Sequence, residues 1–235
     1  ELPEELAKKA EKLAAASDAT PFSVFCSVYM TLLSMLTGTR DICVGTPVVG
    51  RSGELMRVTG PFVETLPLRA QIGDDFASTL RAVCAAGAGM IDHMGVRPAT
   101  LMRLAGRVSD APLYEALFSL LPASPSEFAL GSARLVRQPF DTGAFKSPLA
   151  LEISREKDGC LCELSYDAAR FDESTAGFIS RAYQALLENA LRQPGQKITM
   201  RDALPAADRV RLFTRPLRRR APCDITTLFE RIAEN

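Results

Sequence analysis

Glu64 is the lone carboxylate in the stretch VTGPFVETLPLR, residues 58–69. Read as a strand, this stretch puts Phe62, Glu64, Leu66 and Leu68 on one face, because side chains alternate with period two. A carboxylate desolvated there would have a raised pKa, one signature of a general acid or base. An acid at a sheet edge reaching water is the simpler alternative. His93 is the only histidine. An imidazole base needs a carboxylate to orient it, but the residue four positions on is Arg97, so an HxxxD arrangement is absent. The sequence also lacks a GxSxG elbow, a phosphate-binding loop and an HExxH helix. Gly87 and Gly89 form a partial GxG late in a helical stretch, which close helix packing explains better than nucleotide binding. Cys26, Cys43, Cys84, Cys160, Cys162 and Cys223 include no CxxC pair and no neighbouring histidine, so metal-ligand spacing is missing. A reducing cytoplasm suits them, with Cys160 and Cys162 as two small hydrophobes on one packed strand face. The residues alone assemble no complete active site.

The elements that would position these groups are legible from pattern. Residues 3–16, rich in Ala, Glu, Lys and Leu with Leu6 and Leu13 seven apart, suit an exposed amphipathic helix. Thr20 then caps a second helix with Pro21 in its first turn, running to about Leu36 before Gly38. RDICVGTPVVG reads as a buried strand leading to a turn at Gly50 and Arg51, and the opening stretch as a second strand. Asp74 or Asp75 caps a helix over residues 75–92, ending near His93, and a short helix follows at about 98–104. PLYEALFSLLP, ARLVRQPF, SPLALEIS and CLCELSYD are strand candidates, with Lys157, Asp158 and Gly159 as a hairpin turn. Asp172 caps a long helix through Leu191. The expected class is α/β with a mixed sheet and helices packed on it.

Composition bounds the partners. The chain has 235 residues, 47% of them hydrophobic and 24% charged, enough for a full core. Lys plus Arg equals Asp plus Glu at 28 each, so no global field attracts nucleic acid or an anionic membrane. Within the longest uncharged run, residues 19–39, the apolar stretch Phe22 to Leu36 is 15 residues, short of the roughly 20 that span a bilayer. The segment ELPEELAKKAEKL has no apolar core of a signal peptide, and a first residue other than Met suggests an excised piece. After Asp208 come Arg209, Arg211, Arg215, Arg218, Arg219 and Arg220 around Pro216 and before Pro222, as in a basic, proline-broken linker. Nucleic-acid binding is the sharper reading of those arginines, but no aromatic platform is interleaved with them.

Several of these segments, in order, resemble the condensation domains of nonribosomal peptide synthetases. VTGPFVETLPLR is similar to that family's (I/V)GxFVNTxxxR, with Glu64 where Asn is usual. DICVGTPVVGR resembles its D-hydrophobic-VVGTPxxGR segment, and APLYEALFSL its NPLFQVMFNL. TPFSVFCSVYMTLLSMLTG and DGCLCELSYDAARFD resemble TxFxxLLAAxxxLLxRxTG and DGLxxxxxYxTDLFD. Two motifs depart: HQDxPFE stands here as HMGVRPA, keeping only His93, and SRNPL as SDAPL. CDITTLFERIAEN is similar to the opening of an adenylation domain.

The resemblance implies one lobe of a chloramphenicol-acetyltransferase-like fold, a two-layer α/β sandwich with a mixed sheet. Residues 1–204 would be the C-terminal subdomain of a condensation domain, 205–223 an interdomain linker and 224–235 the start of the adenylation domain. The catalytic HHxxxDG motif belongs to the other lobe and is not in this sequence. This lobe would supply a wall of the substrate tunnel and part of the docking surface for peptidyl and aminoacyl carrier proteins, whose phosphopantetheine carries the substrates; it would bind no cofactor directly. Glu64, Thr65, Asp141, Lys146 and Ser147 are the tunnel or lobe-contact candidates, and Arg51 is the carrier-docking candidate. For residues 140–148 a solvated loop, and for Arg51 a turn salt bridge, are the structural alternatives. The rival functions are a non-catalytic interaction module, which the missing HHxxxDG supports, or an epimerising-type one, which the motif departures leave open, and an independent acyltransferase using His93, opposed by the failed HxxxD template.

Overall fold

A computed structural model describes residues 2–50, 53, 57–96, 98–104, 113–123, 127–136, 138, 143, 147–156 and 159–205. The two residues Leu2–Pro3 form a short strand, β1, and the chain turns at once into helix α1, Glu4–Ala16. Good helix formers build α1, and Glu4–Lys8 and Glu5–Lys9 pair at i,i+4, each at 2.7 Å. The helix is amphipathic, as the spacing of Leu6 and Leu13 suggested, but its fully buried members are Ala7, Ala10 and Ala14, with the leucines half-buried beside them. Methyl-sized side chains let α1 lie close against its neighbours, which an apolar-spacing argument built on leucines does not reveal.

Helix α2, Pro21–Thr37, starts where its cap dictates: Thr20 accepts a hydrogen bond from the Ser23 N–H at 3.1 Å. It ends at Gly38, whose φ of 72° favours glycine. Every residue from Ser23 to Leu33 is buried, so the long uncharged run is a core helix. Among the described residues, no single helix is long and apolar enough to cross a membrane.

Strands β2, Asp41–Val49, and β3, Val63–Gln71, pair antiparallel along their whole length. Helix α3, Phe76–Asp92, opens on a capping box in which Asp75 accepts from the Ser78 N–H at 2.6 Å. Helix α4 spans Pro98–Leu104 and β4 spans Ala116–Leu121. Strands β5, Glu127–Leu130, and β6, Ala133–Val136, form a separate two-stranded sheet, of which the sequence reading had only the second strand. Strands β7, Leu149–Glu156, and β8, Gly159–Tyr166, make the expected antiparallel hairpin, closing on the pair Glu156 and Gly159. The turn residues Lys157 and Asp158 lie outside the described residues. Helix α5, Glu173–Arg192, is capped by Asp172, which accepts from the Thr175 N–H at 2.7 Å, and α6 is Met200–Ala203.

The main sheet has the order β1-β8-β7-β4-β2-β3. It is mixed: β2 with β4 and β4 with β7 are parallel, the other pairs antiparallel. Tyr29, Phe76, Phe118, Met30, Leu68 and Leu186 are among the largest fully buried side chains. At the centre Phe118 of β4 meets Phe22 edge-on, with ring centroids 5.3 Å apart, and Tyr29 at 5.9 Å. Burial here is the dominant stabilising term. One compact unit extends through Leu204; the arginine-rich tail after Pro205 lies outside the described residues.

Candidate functional site

Alternation assigns each strand residue to one of two sheet faces, and register carries that assignment across the sheet. Ile42 with Ala70 and Val44 with Leu68 are directly opposed and buried with the helices. Phe118, Leu151 and Ile153 continue this first face on β4 and β7. The residues between them define a second face: Cys43, Thr65, Pro67, Leu117, Ser119, Ala150, Glu152, Leu161, Glu163 and Ser165. None of these side chains is buried. This second face is the part of the sheet that could meet a ligand or another lobe.

Its polar groups are arranged across strands. Ser119 Oγ donates to Glu152 at 3.1 Å, its neighbour in the parallel register, and Glu152 stands opposite Glu163. Tyr114, just before β4, lies over the backbone of β2 at Gly45 and shares a hydrogen bond with the Thr65 side chain on β3. Partial burial raises the Tyr114 phenol, the hydrogen bond with Thr65 opposing it, so the ring stays a neutral hydroxyl. At this end of the sheet a cleft of about 490 Å³ is lined by Leu33, Ile42, Cys43, Tyr114, Leu149 and Phe171, among others. Ion pairs stand at its rim: Arg170 to Glu115 at 3.0 Å, and Arg69 to Asp41, whose carboxyl is held below the usual range chiefly by the hydrogen bond from Arg69. A second cavity, about 620 Å³, lies beside α2 and α3 and is lined by Phe22, Val48, Cys84, Met90 and Ile91.

The candidates named from sequence are not brought together. Glu64 shares the face of Leu66 and Leu68, as the alternation required, but stands exposed at the strand end, on the edge strand opposite Val48. It therefore reaches water, and Thr65 alone of the pair turns to the second face. Ser147 is 6% exposed. Its Oγ donates to the Glu115 carbonyl at 2.6 Å, with the Leu149 carbonyl 3.3 Å away, tying the start of β7 to the segment before β4. Arg51, Asp141 and Lys146 lie outside the described residues. His93 is an exposed residue at the C-terminus of α3, its N–H bonded to the Gly89 carbonyl at 3.2 Å. Among the described residues no group of three or more His, Cys, Asp or Glu side chains could hold a metal ion.

Tyr114, Gly45 and the Ser119–Glu152 pair were missed. The signal for Gly45 was a glycine inside an otherwise β-branched strand, which marks a bulge or a close approach; only the fold shows that a tyrosine is what approaches.

The comparisons agree with this geometry. The Condensation domain family matches residues 1–213. Surfactin synthase subunit 1 of Bacillus subtilis (strain 168) is 30% identical over 235 residues, which cover 95% of this chain and 6% of that protein. Tyrocidine synthase 3 of Brevibacillus parabrevis is 28% identical over 209 residues, covering 86% of this chain and 3% of that protein. The X-domain from teicoplanin biosynthesis superposes with a TM-score of 0.75 at 21% identity, covering 87% of this chain and 48% of that one. The chain thus spans a few per cent of the curated relatives and about half of that solved domain. The fold is the mixed-sheet α/β arrangement of condensation domains, and the chain belongs to the condensation domain family.

Proposed function

We propose that residues 1–204 are the C-terminal lobe of a nonribosomal peptide synthetase condensation domain, one wall of a tunnel in which two carrier-bound substrates are joined. The observation that carries this reading is the second face of the sheet: half-buried and exposed side chains of both polar and apolar character, with the buried core confined to the opposite face. A face of that kind is completed by another lobe. The order of the matched segments and the half-length coverage of a solved relative support the assignment to the C-terminal lobe. Residues 205–223 then serve as the linker and 224–235 as the start of an adenylation domain.

In this reading the acceptor amine attacks the donor thioester carbonyl. The C–N bond forms, the C–S bond breaks, the amine loses its proton to a base and the donor's pantetheine leaves as the thiol. The base is a histidine of the N-terminal lobe, since this chain holds only the exposed His93. The lobe described here positions the tethered chains and excludes water from the thioester. Its partners are the N-terminal lobe, the peptidyl and aminoacyl carrier proteins with their phosphopantetheine arms, and the adjacent adenylation domain, in the cytoplasm. Asp141 and Lys146 remain candidates for contacts between the lobes and Arg51 for carrier docking, whereas Glu64 on the opposite face and the buried, hydrogen-bonded Ser147 are better read as structural residues.

The test is reconstitution of the intact synthetase with loaded carrier proteins, following amide formation by mass spectrometry. Product is expected from the intact enzyme and none from the 235-residue chain alone. Turnover by the chain alone would sink the reading, and an intact enzyme that binds both carriers without forming amide would favour the second one, a non-catalytic or epimerising-type module. That second reading draws on the departures HMGVRPA and SDAPL. His93→Ala in the intact enzyme is expected to leave amide formation near normal.

A further inference from the structure

We propose that Tyr114 is a substrate-binding residue of this wall, its phenol hydrogen-bonding the amide or carbonyl groups of an acyl-pantetheine chain, with Thr65 as the positioning residue that aims it. The inference rests on the condensation reading above and assigns a contact to it.

Three strands converge on this ring. Gly45 lies inside β2, where a β-branched residue would be expected. A Cβ added there would fall 2.6 Å from Leu117 Cδ2 and closer still to Tyr114 Cε2. Glycine at this position therefore makes room for the tyrosine ring against the backbone of β2. The ring enters from the segment before β4, crosses β2, and its hydroxyl reaches the Thr65 side chain on β3. Fixed at the backbone and at the hydroxyl, it is held in place before any ligand arrives.

The hydroxyl also has bonding capacity to spare. A phenol offers one donor and two acceptor sites, and a single bond with Thr65 leaves at least one of them for a ligand. Tyr114 is half-buried, its ring on the second face over Gly45, and the cleft of about 490 Å³ that it also lines reaches round to Leu33 of α2 and to Ile42, Ala116 and Leu149 of the first face. The charged groups at that rim are already committed to each other, Arg69 with Asp41 and Arg170 with Glu115. The phenol is thus a neutral polar handle on the second face, beside a partly apolar cleft, suited to an uncharged amide chain rather than to an ion.

The experiment uses the intact synthetase and a non-hydrolysable acyl-pantetheine amide, with affinity read by calorimetry. Tyr114→Phe is expected to weaken binding about five- to tenfold, the scale of one neutral hydrogen bond. Thr65→Val is expected to weaken it in the same direction by less, and the double variant to be no weaker than Tyr114→Phe alone, because Thr65 acts through the phenol. In turnover, KM for one carrier-bound substrate should rise with kcat within about twofold, as loss of uniform binding requires. Unchanged affinity in Tyr114→Phe overturns the proposal, even where its melting temperature falls, since a purely structural hydroxyl would change only that. Binding that depends on Tyr114 in a synthetase that makes no amide would refute the condensation reading and leave this contact standing.

Discussion

Two buried tyrosines on neighbouring helices are expected to respond to the same substitution with opposite sign. Tyr29 is 0% exposed and its hydroxyl has no hydrogen-bond partner among the described residues. Tyr183, 3% exposed, donates its hydroxyl to the Phe25 carbonyl at 3.2 Å. Leaving a buried polar group unsatisfied costs roughly 1–3 kcal/mol, whereas a satisfied bond contributes a net of about 0.5–1.5 kcal/mol. Tyr29→Phe keeps the ring against Phe118 and removes only the unpaired oxygen, so it should stabilise the chain by about 1–2 kcal/mol. Tyr183→Phe should destabilise it by about 1 kcal/mol. At roughly 2–4 °C per kcal/mol for a domain of this size, the two variants should melt on opposite sides of the wild type. Urea denaturation with unchanged m values checks that the effect is on stability. A cavity of about 40 Å³ touches both tyrosines, large enough to hold water. If Tyr29→Phe melts lower than wild type, that hydroxyl is satisfied through such a water and the reasoning from an unpaired group is refuted.

Other outcomes follow from the same core. Burial raises Cys26, Tyr29 and Tyr183 well above their ordinary values and Cys162 up to about 12. The folded state therefore holds these protons more tightly than the unfolded state, so stability is fully present below the unfolded thiol value near pH 8.5 and falls as pH rises above it. Denaturation midpoints measured from pH 7 to 11 should decline, and a flat profile would contradict the burial. On the acid side Asp41, Asp75 and Asp172 are held low by Arg69, Ser78 and Thr175 respectively. Stability from these groups is present above about pH 4 and lost as pH falls through their lower folded values, which acid titration followed by circular dichroism would register. Gly159 has a φ of 147°, and a Cβ there would fall on the Leu2 carbonyl. Gly159→Ala should destabilise the chain by at least about 1–3 kcal/mol and deprotect the β1–β8 pair in amide exchange; exchange unchanged from wild type would count against that packing.

How much of this was legible depended on whether a feature is set by local chemistry. Thr20, Asp75 and Asp172 were readable as caps because an N-cap side chain acts on a backbone N–H within the next turn. The strands β2, β3, β7 and β8 were readable because alternation and turn residues are local too. The strand β1 was not, since two residues carry no period and Leu2–Pro3 is a strand only through Cys160 and Gly159 of β8. The alanine stripe of α1 was hidden for a related reason: alanine suits any helix face, and only the packing partner selects Ala7, Ala10 and Ala14.

The site divides along the same line. Alternation already placed Glu64 and Thr65 on opposite faces, so the two tunnel or lobe-contact candidates could not both face the same wall. Which of them met the second face depended on where the helices lay, a tertiary fact. Leu66 and Leu68 on the Glu64 side decided it, because the face that buries two leucines is the core face, and its acid survives only at the edge. The Tyr114 contact needed more, since Gly45, Thr65 and Tyr114 belong to three chain segments and no spacing links them. What the sequence offered was one unexplained glycine in a buried strand. Such a residue is most informative where propensity argues against it, because the fold must then supply the reason.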